Sequence, residues 1–264
     1  PFFLYLSHFA PHNPLQALRD DYDHFHHIEG EFSEELKVYS GMLKALDRSV
    51  GRILDTLEKN NLTDNTLIVL TSDNGGANYI HLSDINKPYR GWKLTHFEGG
   101  LHVPFMAKWP NKIKPGIEFN APIHANDILP TFAAAAGAEL PDDRIIDGVN
   151  LLPFLQNHNS DMPHETLYWL QGRLQTVLHE NWKLITDHRT GKDWLFNVES
   201  DPYERINLAS EMTLKVEELK RLLNDHKKVQ PPPLYDNTMS APILIDKHNG
   251  YAFQDGDEFT YWDN

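Results

Sequence analysis

The sequence has 264 residues, of which 40% are hydrophobic and 23% are charged, a composition typical of a globular protein with one or two domains. The formal net charge of −14 argues against a nucleic-acid partner, which requires a basic surface. No cysteine is present, which excludes disulfides, zinc–thiolate sites and cysteine nucleophiles among these residues, and no apolar run reaches the ~18 residues that span a membrane.

The first six residues, Pro-Phe-Phe-Leu-Tyr-Leu, predict a buried strand, and the loop that follows carries His12 between two prolines. Because a natural domain seldom opens within a strand, we expect the chain to be a fragment. A long helix is predicted from Ser33, its expected N-cap, to near Asn60. Its apolar residues recur at helical spacing on one face: Tyr39, Leu43, Leu46, Val50, Ile53, Leu54 and Leu57.

Residues 66–71 form a β-branched apolar run that predicts a central strand of a parallel sheet, buried on both faces. Asp73 and Asn74 follow this strand directly. Because ligands of open α/β sheets bind at the carboxyl ends of strands, these two residues lie where a site is expected. A further strand is predicted at residues 103–107 and a helix at residues 126–136.

The chain is predicted to divide into three regions. Residues 1–160 form the main α/β region, residues 161–228 a subdomain with a small antiparallel sheet and a helix, and residues 229–264 an irregular acidic tail on the surface. The subdomain prediction rests on short strand candidates at residues 174–178, 183–186 and 194–197, and on a helical face of Met212, Val216, Leu219 and Leu223.

Asp73 and Asn74 offer a carboxylate and an amide oxygen, which suit a hard cation such as calcium or magnesium. Two ligands are too few for calcium, which takes about six to eight oxygens, so other residues must complete such a site. The segment Asp-Asn-Gly-Gly is also a common turn sequence, and from these residues alone both interpretations remain open.

His12 and Lys93 are the other candidate site residues. A histidine at a strand end can act as a general acid or donate to an anion, but the chain has 15 histidines, and a surface loop histidine is the alternative. Lys93 lies in a glycine-flanked loop and can reach an anion as a point charge, whereas the alternative is a solvated lysine. Asp127, near a predicted helix start, is interpreted as complementing the helix dipole.

The order and spacing of these signals resemble the type I sulfatase family over residues 1 to about 223. The resemblance rests on five sets of motifs: Ala10-Pro11-His12-Asn13-Pro14; Thr71-Ser72-Asp73-Asn74-Gly75-Gly76; Arg90-Gly91-Trp92-Lys93 with Glu98-Gly99-Gly100; Asp127-Ile128-Leu129-Pro130-Thr131 with Asp147-Gly148-Val149; and Trp182-Lys183-Leu184-Ile185 with Asp201-Pro202-Tyr203-Glu204.

This resemblance implies an alkaline-phosphatase-like α/β fold, in which the chain forms the C-terminal half of the central mixed sheet with flanking helices and a small antiparallel subdomain. It implies hydrolysis of sulfate esters, including those of sulfated carbohydrates, with a bound Ca²⁺ ion. Asp73 and Asn74 match calcium ligands of the family, Lys93 matches the lysine that binds the sulfate group, and His12 matches the histidine that contacts the sulfate or leaving-group oxygen. A periplasmic, secreted or lysosomal location is also implied.

The chain departs from the family pattern at the nucleophile, which is a formylglycine made within a Cys/Ser-x-Pro-x-Arg motif. No cysteine is available, and before Pro88-Tyr89-Arg90 the position of the convertible residue is occupied by Asn86. The family's N-terminal paired aspartates, lysine and histidine have no counterpart, and His102 replaces an arginine. We therefore expect that an N-terminal half is missing and that the isolated chain is inactive.

Two alternatives to a sulfatase remain open. One is a related hydrolase of phosphate or phosphonate esters in the same superfamily, and the other is a non-catalytic protein that keeps the fold for binding. The nucleophile segment discriminates them, because cysteine or serine before x-Pro-x-Arg favours a sulfatase and threonine favours a phosphatase.

Overall fold

The computed structural model describes residues 1–157 and 161–263. Six α-helices are assigned within them: α1 (Arg19–Asp23), α2 (Ser33–Lys59), α3 (Glu98–Leu101), α4 (Ile128–Ala136), α5 (Leu152–Leu155) and α6 (Thr213–Val229). The strands are β1 (Ile68–Thr71), β2 (Phe105–Lys108), β3 (Thr166–Gln171), β4 (Leu174–His179), β5 (Trp182–Asp187), β6 (Lys192–Asn197), β7 (Ser240–Leu244) and β8 (Phe259–Asp263). Among the described helices, none has both the length and the apolar character needed to cross a membrane.

The long helix α2 begins at Ser33 and ends at Lys59, which confirms the predicted helix. Its N-cap is Phe32 rather than the expected Ser33, which is the first residue of the helix. Helix α1 packs against it through Asp21, a buried carboxylate that accepts two hydrogen bonds from Arg48 at 2.7 and 2.8 Å. Leu43, expected on the buried face, remains 40% exposed.

Strand β1 pairs antiparallel with β2, so that Ile68 lies opposite Lys108 and Thr71 opposite Phe105. The predicted parallel pairing is therefore wrong in the described chain. The predicted burial on both faces is wrong as well, because residues 68–70 are half-buried and Thr71 is exposed. The reason is that the chain between the two strands folds back on itself, which returns β2 beside β1 in the opposite direction.

The predicted strand at residues 1–6 is also wrong. This segment has no strand assignment, and its side chains are exposed, with 74% of Phe3 and 80% of Tyr5 accessible to solvent. Within the described residues no strand pairs with it, and without a hydrogen-bonded neighbour an apolar segment forms no ladder.

Asp127 precedes α4 and is fully buried. Its contacts go beyond the predicted role of complementing the helix dipole. Its carboxylate accepts hydrogen bonds from the backbone N–H groups of His124 at 2.7 Å and Val149 at 2.8 Å. His164 Nε2 lies 2.8 Å from the same carboxylate. Asp127 therefore joins the start of α4 to the segment containing Val149, which explains why both belong to one motif.

The C-terminal subdomain contains the predicted antiparallel sheet, in the order β3-β4-β5-β6, with α6 packed against β4 and β5. Three of its strands match the sequence prediction, whereas β3 was not predicted. The sheet and the helix share one apolar core, formed by Val177, Leu184, Leu195, Val216, Leu219 and Leu223. The division of the chain at residues 160 and 228 stays a prediction.

The C-terminal region, predicted to be an irregular tail, instead contains an antiparallel hairpin of β7 and β8. Ile245, just after β7, is fully buried against a core that includes Phe97 and Trp194. Acidic residues of this region do not simply face solvent: Asp246 and Glu258 both pair with Arg90. These ion pairs join residues far apart in the sequence, which is why local composition did not predict the hairpin.

We predict that Leu219→Ala lowers the free energy of unfolding by about 2–5 kcal/mol, because it removes a fully buried side chain from the core under α6. Leu214, on the same helix, is 86% exposed, and Leu214→Ala should change that free energy by less than about 0.5 kcal/mol. Urea denaturation followed by circular dichroism measures both values. Equal effects of the two substitutions would contradict the packing of α6.

Candidate active site

Strand β1 ends at Thr71 and carries Asp73 and Asn74 into the loop that follows. Asp73 is exposed and Asn74 is half-buried. In residues 1–157 and 161–263, no hydrogen bond or ion pair engages the Asp73 carboxylate or the Asn74 side-chain amide; the backbone carbonyl of Asn74 accepts a hydrogen bond from Ser72. The two side chains are therefore free to contact a ligand.

Lys93 and His12 meet although 81 residues separate them, with 3.2 Å between Lys93 Nζ and His12 Nε2. His12 Nδ1 lies 2.7 Å from the carbonyl oxygen of Asn13, so we assign the ring proton to Nδ1. With the proton on Nδ1, Nε2 accepts a hydrogen bond from the lysine. This contact brings the two candidate side chains together, whereas their roles remain predictions.

The loops that carry Asp73 and Lys93 are joined through their backbones. The N–H of Lys93 donates to the carbonyl of Gly76 at 2.9 Å, and the N–H of Gly75 donates to the carbonyl of Gly100 at 3.0 Å. Both candidate residues are thus part of one connected group of loops at the end of β1.

Asn86 is a third connection between these loops and was not assigned any role from the sequence. Its side-chain oxygen accepts from the N–H of Gly76 at 2.7 Å, and its side-chain nitrogen donates to the carbonyls of Gly76 at 2.9 Å and Gly91 at 3.1 Å. In the x-Pro-x-Arg pattern that ends at Arg90, Asn86 stands where a convertible cysteine or serine would be. Its side chain instead holds the backbone of Gly76 and Gly91.

Glycines allow the backbones to approach closely. A Cβ atom on Gly75 would lie 1.8 Å from the carbonyl oxygen of Gly99, a distance that no side chain tolerates. Gly91 has a φ of +86°, in the left-handed region that favours glycine, and a Cβ there would lie 2.6 Å from Phe97 Cβ. The two glycine-containing motifs around Lys93 therefore fit together only without side chains.

Lys183, Glu98 and Glu204 form a buried ion cluster, and Glu98 lies five residues after Lys93 in the chain. Lys183 is 1% exposed, and its Nζ lies 2.6 Å from Glu98 Oε1 and 2.8 Å from Glu204 Oε1. Burial tends to raise the pKa of Glu98, but the charge of Lys183 and the hydrogen bonds from His102 and Lys183 together outweigh it and lower this pKa to about 2. Burial holds the pKa of Glu204 above its ordinary value.

The ion cluster connects three segments that are distant in the sequence. Glu98 begins α3, five residues after Lys93, while Lys183 lies in β5 and Glu204 in the turn after β6. Glu204 Oε2 also accepts from the N–H of Glu98 at 2.6 Å. Glu98, Lys183 and Glu204 each belong to a motif shared with the sulfatase family, although no role was assigned to them. Their opposite charges were the signal that could have predicted an ion cluster.

His96 is buried next to this cluster. It is 5% exposed, and its Nδ1 lies 2.9 Å from Thr176 Oγ1 on β4. The contact adds a second link between the Lys93 region and the four-stranded sheet.

Arg90 is committed to the C-terminal hairpin. Its guanidinium donates to both carboxylate oxygens of Asp246, at 2.7 and 2.6 Å, and also contacts Glu258. Pro88-Tyr89-Arg90 is therefore a structural segment in this chain. His102, which stands where the family pattern has arginine, contacts Glu98 Oε2 through Nδ1 at 2.9 Å and stacks on Tyr89.

The oxygens of Asp73 and Asn74 have the chemistry of ligands for a hard cation. Across the part of the chain that the structure describes, no group of three or more histidine, cysteine, aspartate or glutamate side chains is arranged to hold a metal ion. Calcium takes about six to eight oxygens, so Asp73 and Asn74 alone do not complete a site for it.

Comparison with known proteins gives two matching family models. The model described as Sulfatase matches residues 1–138, and the model described as N-sulphoglucosamine sulphohydrolase, C-terminal, matches residues 91–229. Together they cover the candidate site and the ion cluster.

Among curated relatives, the steryl-sulfatase of Rattus norvegicus is 35% identical over 209 residues, which are 76% of this chain and 34% of the relative. The crystal structure of Ps i-CgsB matches with a TM-score of 0.78 and 33% identity over 89% of this chain and 52% of that structure. The chain thus spans about one third of the relative and half of the solved structure. These matches confirm the expected α/β fold of the alkaline-phosphatase-like sulfatases.

We predict that Lys183→Met lowers the free energy of unfolding by about 3–5 kcal/mol, because two buried carboxylates lose their counter-charge. Lys228→Met is the matched control, since Lys228 and its partner Asp225 are 73% and 69% exposed and such a pair contributes at most about 1 kcal/mol. Urea denaturation measures both variants. Adding Glu98→Gln and Glu204→Gln to Lys183→Met should recover part of the loss, and a loss in Lys183→Met no larger than in the control would show that the cluster is not stabilising.

Proposed function

The chain belongs to the sulfatase family, and from that premise we propose that the protein hydrolyses sulfate esters with His12, Lys93, Asp73 and Asn74 in its active site. The observation that carries the proposal is the 3.2 Å approach of Lys93 Nζ to His12 Nε2. A cation and an imidazole at that separation can contact different oxygens of one sulfate group.

Lys93 is proposed to bind the sulfate. A sulfate ester is an anion, and an ammonium group near its oxygens stabilises the charge that develops there during bond cleavage. The sulfate oxygen would replace His12 Nε2 as the acceptor of the lysine hydrogen bond. The backbone N–H of Lys93 donates to the carbonyl of Gly76, which fixes the point from which the lysine side chain extends.

His12 is proposed to donate a proton to the leaving-group oxygen. The hydrogen bond from Nδ1 to the carbonyl of Asn13 orients the ring and leaves Nε2 facing the site. When the sulfate separates Lys93 from the ring, Nε2 can carry a proton and transfer it to the alkoxide as the sulfur–oxygen bond breaks.

Asp73 and Asn74 are proposed to hold a calcium ion. When bound, the ion supplies positive charge to the sulfate oxygens. Asp73 should contribute more than Asn74, because its carboxylate is charged and the amide is neutral. Support comes from the free state of both side chains at the end of β1.

The nucleophile is proposed to lie outside these 264 residues, as a formylglycine in a segment that also completes the calcium site. Support comes from the sequence, which has no cysteine and uses Asn86 and Arg90 to hold structure. The chain also spans only part of its relatives' length.

The proposed substrate is a sulfated carbohydrate, which fits a periplasmic, secreted or lysosomal location. Two solved structures support this class of substrate. Ps i-CgsB in complex with k-i-k-neocarrahexaose matches with a TM-score of 0.74 and 33% identity, over 86% of this chain and 50% of that structure. BT4656 in complex with its substrate D-glucosamine-2-N,6-O-disulfate matches with a TM-score of 0.56 and 25% identity, over 76% of this chain and 43% of that structure.

Kinetics with 4-nitrophenyl sulfate and a sulfated oligosaccharide test the proposal in the full protein that carries this chain. Lys93→Ala should lower kcat by about 10²–10³-fold on both substrates, because transition-state charge loses its stabilisation. His12→Ala should cost more on the oligosaccharide, up to about 10⁴-fold, because a sugar alkoxide needs the proton more than 4-nitrophenolate does.

Lys87→Ala, at a lysine that is 64% exposed, is the control and should leave kcat unchanged. The 264-residue chain alone should hydrolyse neither substrate. Turnover by that chain, abolished by Lys93→Ala, would show that the nucleophile lies within it, and full activity of both site variants would overturn the assigned roles.

Calorimetry on the full protein tests the metal site without an activity readout. Asp73→Ala should weaken calcium binding by more than about ten-fold, and Asn74→Ala should weaken it less, because a neutral ligand attracts the cation less. Asp84→Ala, at an exposed loop aspartate, is the control. Unchanged calcium affinity in both site variants would contradict the proposed ligands.

A further inference from the structure

The sequence contains two Asn-Gly dipeptides, Asn74-Gly75 and Asn249-Gly250. In such a dipeptide the backbone nitrogen of the glycine can attack the side-chain carbonyl of the asparagine, because glycine has no Cβ atom to shield its N–H group. The two dipeptides are chemically identical but lie in different surroundings. Their reactivity can therefore be compared within one chain.

Asn249 and Gly250 are the central residues of a turn in the connection between β7 and β8. The N–H of Tyr251 closes this turn by donating to the carbonyl of His248 at 3.2 Å. Asn249 and Gly250 are both exposed. Among the residues that the structure describes, no hydrogen bond or ion pair engages the side-chain amide of Asn249. That amide is therefore free to turn toward the nitrogen of Gly250.

A histidine lies beside the nitrogen that has to lose a proton. The N–H of Gly250 donates to His248 Nδ1 at 3.1 Å, so the ring proton is assigned to Nε2. An imidazole nitrogen that accepts this hydrogen bond can also take the proton, whereas a carbonyl oxygen cannot. The ring is fixed in place, because it is 1% exposed and packs on Tyr251 with 4.4 Å between the ring centroids.

The other dipeptide is protected by its backbone contacts. The N–H of Gly75 donates to the carbonyl of Gly100 at 3.0 Å, and the chains lie so close that a Cβ atom on Gly75 would be 1.8 Å from the carbonyl oxygen of Gly99. The nitrogen of Gly75 becomes available only if these loops separate, and such local opening costs free energy. Asn74 is therefore expected to react more slowly than Asn249.

We propose that Asn249 is a site of spontaneous deamidation, with His248 Nδ1 as the base. The imidazole takes the proton of the Gly250 N–H while that nitrogen forms a bond to Asn249 Cγ. The bond between Cγ and the side-chain nitrogen then breaks, and this nitrogen leaves as ammonia with the proton that the imidazole returns. Water opens the resulting succinimide ring at either carbonyl, which gives aspartate or isoaspartate at this position.

The modification alters a contact of the C-terminal hairpin. The backbone N–H of Asn249 donates to the carbonyl of Asn78 at 3.3 Å. Isoaspartate lengthens the backbone by one carbon directly after that N–H, and both products add a negative charge to the turn. Deamidation therefore changes the point at which the connection between β7 and β8 meets the segment that follows β1.

Incubation of the full protein in water labelled with heavy oxygen, followed by proteolysis and mass spectrometry, measures both sites together. The label enters when a succinimide is opened during the incubation, so earlier deamidation is not counted. A calcium chelator keeps the proposed metal site empty, so that protection of Asn74 comes from the contacts of Gly75. Asn249 should take up label about ten-fold faster than Asn74 or more, because opening at Gly75 breaks a backbone hydrogen bond and its packing.

The same protein denatured in guanidinium chloride is the control, because the two dipeptides then lose their different surroundings. Asn74 should react faster after unfolding, whereas Asn249 should not, because unfolding removes the base. His248→Phe keeps an aromatic ring and removes Nδ1, so it should slow the labelling of Asn249 and leave that of Asn74 unchanged. His27→Phe, at an exposed histidine in another loop, should change neither rate.

Equal rates at the two sites in the folded protein overturn the proposal, as does an Asn249 that reacts faster after unfolding. An unchanged Asn249 rate in His248→Phe also overturns it, provided that melting curves show this variant to be folded. If His248→Phe does not fold, the comparison of the folded with the denatured parent protein decides the question.

Discussion

The buried ammonium group of Lys183 is the constraint on which the site region depends. An ammonium removed from water is stable only beside negative charge, and here that charge comes from Glu98 and Glu204. Meeting this requirement fixes α3 against β5 and the turn after β6, and α3 begins five residues after Lys93. The position of the candidate sulfate-binding residue is therefore tied to the folding of the C-terminal sheet.

Other contacts also fix the position of the loop that carries Lys93. Asn86 holds the neighbouring backbone, Arg90 joins it to the C-terminal hairpin, and Gly75 lets the loops approach without side chains. Several independent connections to one loop reduce the conformations that it can adopt, so little ordering remains to be done when an anion binds. The loop that carries Lys93 is thereby held by segments from distant parts of the chain.

Local patterns predicted the elements whose stability is local. Helices α2 and α6 have clear apolar faces, and the strand that ends before Asp73 is β-branched, so all three were predicted from the sequence. The antiparallel pairing of β1 with β2 and the contacts that hold the C-terminal hairpin involve residues distant in the chain, which periodicity does not contain. For the site, the resemblance identified His12 and Lys93, whereas Asn86 and the ion cluster required knowledge of which side chains meet.

The burial of His96 beside Lys183 makes the region around Lys93 sensitive to acid. Burial, with a smaller effect of the Lys183 charge, lowers the pKa of His96 from 6.5 to about 3. Between those values the unfolded chain binds a proton that the folded chain excludes, so stability falls by up to about 1.4 kcal/mol per unit of pH as the solution is acidified. Glu98, whose pKa is lowered from 4.5 to about 2, adds a loss below pH 4.5. Glu204, whose pKa is raised, takes up its proton above pH 4.5 and offsets part of the His96 loss there. The side chains that join the Lys93 loop to the C-terminal sheet are therefore also the ones through which acid weakens the fold.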